Sequence, residues 1–178
     1  MYPKDEVSEQ RLSLVYPVLA SKIRSMAEAL QSKGVVIRVV QGLRTVDEQN
    51  ALYAQGRTVP KTTCVTNCRG GHSYHNFGLA VDCVPSSSGP DQPYNPDWNS
   101  SHPVWKQMEA AGKAQGLAVG ALWRTFPDAP HFQLTGPYPE GCPSAACQDL
   151  LAKGGMPAVW GSVTAYLAEA GNLSKQEV

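Results

Sequence analysis

The sequence predicts an α+β fold. Helical periodicity recurs in several separated segments. Short apolar, β-branched runs lie between them. The two kinds of segment do not alternate strictly, as a doubly wound α/β sheet would require. The 178 residues fit one domain, and 42% hydrophobic content is enough to bury a core. No internal repeat and no linker marks a second domain, so one domain over 1–178 is expected.

The elements follow in order. Residues 17–33 place Leu19, Ile23, Met26, Ala27 and Leu30 on one helical face, and Gly34 is the stop signal. The run VVIRVVQG (35–42) is β-branched and reads as a buried strand. Thr45 with Glu48 has capping-box spacing, which starts a short helix through Leu52 and Tyr53 that ends before Gly56. Residues 57–74 hold no periodic segment and read as a long loop, a feature that is often functional. FGLAVDCV (77–84) is a second strand, and 85–100 is a loop dense in turn residues. Residues 103–116 form a helix with Val104, Met108 and Ala111 inward. Strand-like pieces follow at 117–123 and 131–135, then two helices near 144–153 and 157–170.

Charge and hydropathy narrow the function. Lys plus Arg equals Asp plus Glu at 15 each, which argues against a nucleic-acid binder relying on a basic face. No apolar run reaches the roughly 18 residues of a membrane span. The N-terminal stretch has no basic segment followed by an apolar one, so no signal peptide is visible. The cysteines are Cys64, Cys68, Cys83, Cys142 and Cys147. Three readings stand together: short-range bridges Cys64–Cys68 and Cys142–Cys147, a structural zinc site lacking the usual C-x-x-C pairs, or unpaired thiols. Cys83, in an apolar run, reads as a buried small hydrophobe.

Two stretches carry chemistry: Ser73-Tyr74-His75-Asn76-Phe77-Gly78-Leu79-Ala80-Val81-Asp82 and Asp128-Ala129-Pro130-His131-Phe132. Two histidines and a carboxylate are a ligand set for catalytic zinc, with the fourth position left to water. On spacing alone they read equally as polar residues satisfied locally. Asp128 can be a turn residue of PDAP, and Arg44 a surface arginine before a helix. Ser73 can be a backbone cap, and Trp123 and Phe126 core aromatics.

The pattern Ser73-x-His75-x-x-Gly78-x-Ala80-x-Asp82 resembles the signature of the zinc D-Ala-D-Ala peptidase superfamily. That group holds VanY- and VanX-type peptidases and the L-alanyl-D-glutamate endopeptidases of phage endolysins and bacilli. Gly42-Leu43-Arg44-Thr45, Glu48-Gln49 and Leu52 to Thr58 resemble the endolysin branch, as do Trp123, Phe126 and Asp128-x-Pro130-His131-Phe132. The resemblance covers about 17–135 and leaves 136–178 as a helical extension, with no separate wall-binding domain. It implies a small central antiparallel sheet flanked by helices, with one zinc ion at the sheet face. It implies that His75, Asp82 and His131 bind that zinc and that Asp128 is the catalytic base. Arg44 would grip a substrate carboxylate or steady the oxyanion, and Ser73 would contact substrate. Gln133 stands where some relatives carry Glu.

The function implied is a zinc peptidoglycan hydrolase cutting the L-Ala–D-Glu bond of stem peptides. The alternatives are a D-alanyl-D-alanine carboxypeptidase or a non-catalytic zinc or wall-binding domain. The expected partner is the stem peptide, with no nucleic acid and no membrane span, and the chain working as a monomer. Such an enzyme acts on the wall outside the cytoplasm, reached through lysis, a holin, or a leader outside this sequence.

Overall fold

The computed structural model describes residues 5–176; the ends of the expected 1–178 domain lie outside the described residues. The chain divides into two compact units: Met1–Leu43 with Gly78–Leu134, and Arg44–Phe77 with Thr135–Val178.

The first unit is the α+β layer. Helix α1 spans Glu6–Leu12 and has no counterpart in the sequence reading. It buries only Ser8 and Leu12, so it shows no apolar stripe. Asp5 caps it, accepting from Ser8 N at 3.3 Å and Ser8 Oγ at 2.7 Å, and the Arg38 guanidinium forks onto the same carboxylate. Helix α2 (Pro17–Gln31) buries the expected stripe of Leu19, Ile23, Met26, Ala27 and Leu30, together with Ala20. Helix α4 (Pro103–Ala114) packs on α2 and buries Val104, Trp105, Met108 and Gly112. The expected inward residue Ala111 is half-buried, because Gly112 takes the place against the Phe132 ring.

Strands β1 (Ile37–Gln41), β2 (Ala80–Pro85), β3 (Ala118–Val119) and β4 (His131–Gln133) form one sheet in the order β1-β2-β4-β3. Each neighbouring pair is antiparallel. Central β2 is buried along its length except at half-buried Asp82. Its entry needs Gly78, whose φ of 63° is a left-handed conformation that a side chain disfavours. Gly78 O accepts from Tyr16 N at 2.8 Å, tying β2 to the start of α2. The strand expected over 117–123 is shorter: it stops at Val119 and curls into a 3-10 turn, Gly120–Leu122.

The second unit holds α3 (Val46–Ala54), a 3-10 turn at Tyr74–Phe77 and α5 (Ala145–Gln176). The capping box forms as the sequence predicts: Glu48 N donates to Thr45 Oγ1 at 3.2 Å and Thr45 N to Glu48 Oε2 at 2.7 Å. Residues 57–73 contain neither helix nor strand. All four residues of the 3-10 turn are buried. Trp160 Nε1 donates to Phe77 O at 2.8 Å, and the Tyr74 hydroxyl to Pro139 O at 2.5 Å. Helix α5 is broken at Gly155, just before Pro157, which leaves the two helical pieces the sequence predicts.

Candidate metal centre and active site

In the first unit the β2–β4 register sets Asp82 directly opposite His131. Directly opposed residues of an antiparallel pair share a face, so the carboxylate and imidazole must meet. Asp82 Oδ1 lies 3.3 Å from His131 Nδ1. Asp128 Oδ2 lies 4.0 Å from the same nitrogen, and its side chain is 34% exposed. A turn holds it there: His131 N donates to Asp128 O at 3.2 Å and Asp128 N to Gly120 O at 2.9 Å. The PDAP segment is thus a turn and also presents its carboxylate to the histidine.

The other ring nitrogen, His131 Nε2, lies 2.8 Å from Gln133 Oε1, both buried. An amide oxygen only accepts, so Nε2 carries the hydrogen and a neutral ring turns its Nδ1 lone pair toward Asp82. Two lone pairs facing each other at 3.3 Å call for a positive centre between them. Burial disfavours the imidazolium, yet Asp82, with Asp128 behind it, outweighs burial and raises the His131 pKa. The Trp123 ring covers the imidazole, centroid to centroid 4.8 Å. Trp123 is half-buried, so it serves as a lid on the histidine more than as core. Phe126 is half-buried as well. A cleft of about 400 Å³ opens beside Asp128, walled by Trp98, Trp105, Lys106, Glu109 and Pro130. Trp98 comes from loop 85–100.

In the second unit His75 sits in the buried 3-10 turn. Its N–H faces Ser73 Oγ at 3.4 Å, and Asn76 N donates to Ser73 O at 2.9 Å, so Ser73 caps the turn. Arg44 N donates to His75 O at 3.0 Å. Asn76 Nδ2 donates to Arg44 O at 2.9 Å and to Thr45 O at 3.1 Å. Arg44 and His75 are therefore locked together through backbone. The Arg44 side chain donates from Nη1 to Gln49 Oε1 at 2.7 Å. Gln49 is fully buried and donates in turn to Cys68 O at 2.7 Å.

Among the described residues, His75, Asp82 and His131 form the one set of His, Cys, Asp and Glu side chains able to hold a metal ion. The two histidines are buried and the aspartate half-buried. The sequence model of VanY, D-alanyl-D-alanine carboxypeptidase, matches residues 13–121. The chain belongs to the VanY family. The match covers Arg44, Ser73, His75 and Asp82 and ends before Asp128 and His131. The peptidoglycan L-alanyl-D-glutamate endopeptidase CwlK of Bacillus subtilis (strain 168) is 33% identical over 124 residues, 67% of this VanY-family chain and 73% of CwlK. The crystal structure of Serratia marcescens L-Ala D-Glu endopeptidase ChiX is similar at a TM-score of 0.50 and 29% identity, over 72% of this chain and 86% of ChiX.

Several residues that build the VanY site went unassigned in the sequence. Gly120 is one: a Cβ there would stand 2.5 Å from Asp128 O and 2.8 Å from His131 Cβ. A glycine inside an apolar strand-like run is the signal for such a close backbone approach. Asn76 and Gln49 lie inside the stretches that carry the resemblance, but their bracing role was not assigned, since a buried amide looks like any loop or helix polar residue until its partners are known.

Proposed function

We propose that this VanY-family protein is a zinc-dependent peptidoglycan hydrolase that cuts the L-Ala–D-Glu bond of stem peptides. The reading takes the chain as one catalytic domain, working as a monomer on the wall outside the cytoplasm. Among the described residues no helix is long and apolar enough to cross a membrane. The observation that carries the reading is the Asp82–His131–Asp128 arrangement, in a chain whose relatives CwlK and ChiX are L-alanyl-D-glutamate endopeptidases.

His75, Asp82 and His131 would hold the zinc. Two ligands of a tetrahedral zinc, each about 2.0–2.1 Å from the metal, stand about 3.3–3.4 Å apart. The 3.3 Å between His131 Nδ1 and Asp82 Oδ1 fits one such edge. Two carboxylates beside a neutral imidazole also leave the pocket negative, which favours a divalent cation. When bound, zinc polarises the scissile carbonyl and brings the pKa of its water down towards about 7.

The chain's own residues do the rest. Asp128, half-open to the cleft, takes the proton from the attacking water and hands it to the departing D-Glu amine. Arg44, braced by Gln49, binds a stem-peptide carboxylate or steadies the oxyanion. Ser73 uses its oxygen as a cap and keeps its hydroxyl proton for the substrate. Loop 85–100, which brings Trp98 to the cleft, is suited to substrate selection.

Gln133 orients the metal ligand His131. An outer partner of this kind is typically worth about 10–100-fold in metal affinity. Gln133→Leu therefore weakens zinc binding within that range while the fold persists. Competition with a chromogenic chelator reads the affinity, and an unchanged value removes Gln133 from the centre.

The family description favours a second reading, D-alanyl-D-alanine carboxypeptidase. A defined muropeptide bearing the full stem separates the two by mass spectrometry of the products. The expected products are N-acetylmuramoyl-L-Ala and a peptide that begins with D-Glu. Release of free D-Ala makes the protein a carboxypeptidase, and an intact substrate with zinc-loaded protein makes it a binding domain.

A further inference from the structure

Two cysteines far apart in sequence meet in the second unit. Cys68 Sγ and Cys142 Sγ lie 3.5 Å apart, across 74 positions of chain. The short-range pairings suggested by spacing do not form; all five cysteines are free thiols. Cys64 turns its sulfur into its own loop, 3.4 Å from Thr66 O. Cys147 and Cys83 are fully buried. No third His, Cys, Asp or Glu among the described residues joins Cys68 and Cys142 in a metal-holding group.

From this geometry we infer that Cys68 and Cys142 are the site of a covalent clasp: a disulfide that fastens the long loop leading to His75 onto the segment preceding α5. The sulfurs need to close by about 1.5 Å to reach the S–S bond length of about 2.05 Å. Both stand on irregular backbone, which can supply that movement. The oxidant is a disulfide donor, either a small-molecule disulfide or an exchange enzyme. Exposed Cys142 attacks it and forms a mixed disulfide; Cys68, as thiolate, attacks the Cys142 sulfur and expels the donor's second thiolate. The two cysteines lose two electrons and two protons, and the donor leaves as two thiols.

The clasp matters because of what otherwise holds the loop. Residues 57–67 are exposed apart from half-buried Thr66 and add nothing to the buried core. Their anchors are polar: Arg57 Nη1 to Tyr53 O at 2.7 Å and to Thr66 O at 3.0 Å, and Gln49 Nε2 to Cys68 O at 2.7 Å. The Arg57 and Arg69 guanidiniums also stand over the Tyr53 ring. Downstream, Gly70 N donates to Asn50 Oδ1 and Gly71 N to Asn76 Oδ1, which carries any loosening directly to the turn that bears His75. The Tyr74 hydroxyl already bonds Pro139 O on the opposite segment, so the bridge reinforces an existing contact. Burial, with the Cys142 sulfur beside it, pushes the Cys68 thiol up, and exposed Cys142 is the sulfur that meets the donor first. The clasp is separate from the peptidase chemistry and is the same whichever bond is cut.

The test is peptide mapping after incubation with oxidised glutathione and alkylation under denaturing conditions. Cys64 and Cys68 share the tryptic peptide 62–69, and Cys142 and Cys147 share 125–153. The Cys64→Ser/Cys147→Ser double variant is therefore mapped alongside the parent protein. The expected result is a cross-link between the two peptides that survives in the double variant and disappears in Cys68→Ser and in Cys142→Ser. The oxidised protein melts about 5–10 °C above its reduced form, as closing a long loop should give, and trypsin cuts after Arg57 and Lys61 more slowly. Five alkylated cysteines after oxidation overturn the inference. So does a cross-link that persists in Cys68→Ser, or an oxidised form that melts no higher than the reduced one.

Discussion

His75→Ala loses zinc and turnover together while the protein remains folded. The side chain is buried in the 3-10 turn at Tyr74–Phe77. The turn itself is held by backbone and by neighbours: Arg44 N on the residue-75 carbonyl, the Ser73 cap, Asn76 on Arg44 and Thr45, and Trp160 on Phe77 O. None of these needs an imidazole, so alanine keeps the turn and deletes the ligand. Removing a direct ligand weakens binding by more than the roughly 10–100-fold cost of losing an outer partner. Metal analysis of the purified variant, its circular dichroism and its cleavage rate are measured on one preparation. A variant that keeps a full zinc equivalent, or wild-type protein that remains active after exhaustive chelation, would sink the assignment.

Asp128→Asn keeps zinc and fold and loses about two to four powers of ten in kcat, the usual contribution of general acid–base catalysis. The amide is nearly isosteric and leaves the backbone turn intact, because Asp128 holds that turn through its own N–H and C=O. What it removes is a group able to take a proton. Asp128 is also the more open of the two carboxylates near His131 Nδ1, at 34% exposure against 16% for Asp82. That difference suits a base that meets water and substrate on one side and a ligand that does not on the other. Rates are measured on a soluble stem peptide at saturating zinc. A rate within a factor of about two of wild type would rule out the role, being far below that range. A variant that instead drops its metal would move Asp128 from base to ligand.

How much of this was readable from sequence depended on how local the signal was. The α2 stripe is a periodic pattern within 15 residues, and it is buried as read. The Thr45–Glu48 box is complete within four residues, and both of its hydrogen bonds form. Helix α1 escaped because its stability comes from elsewhere: the Asp5 cap, the fork from Arg38 and the ion pair of Glu9 with Arg24. The strand reading of 117–123 overran because the apolar run continues through Gly120, where the Asp128–His131 turn presses in and bends the chain. Of the three cysteine readings the unpaired thiols are what the structure shows, and the short-range bridges do not form for a related reason. Chain proximity favours short loops, whereas the thiols that meet are brought together by folding across 74 positions.

By itself, the sequence determined the chemistry available to this protein: two histidines and an aspartate in a zinc-type donor set, a second aspartate three residues before one histidine, and helices with their caps. These are properties of residue type and short-range periodicity, which the chain carries before it folds. Only the tertiary structure decided which atoms meet. The antiparallel register of β2 and β4 places Asp82 across from His131, and a shift of one residue would have turned the carboxylate to the other face. Gln133 reaches Nε2 and fixes the tautomer, and Gly120 leaves room for Asp128. Register and close approach arise from pairing distant segments, whose energy lies in burial and hydrogen bonds made across the fold, so no local window of sequence contains them.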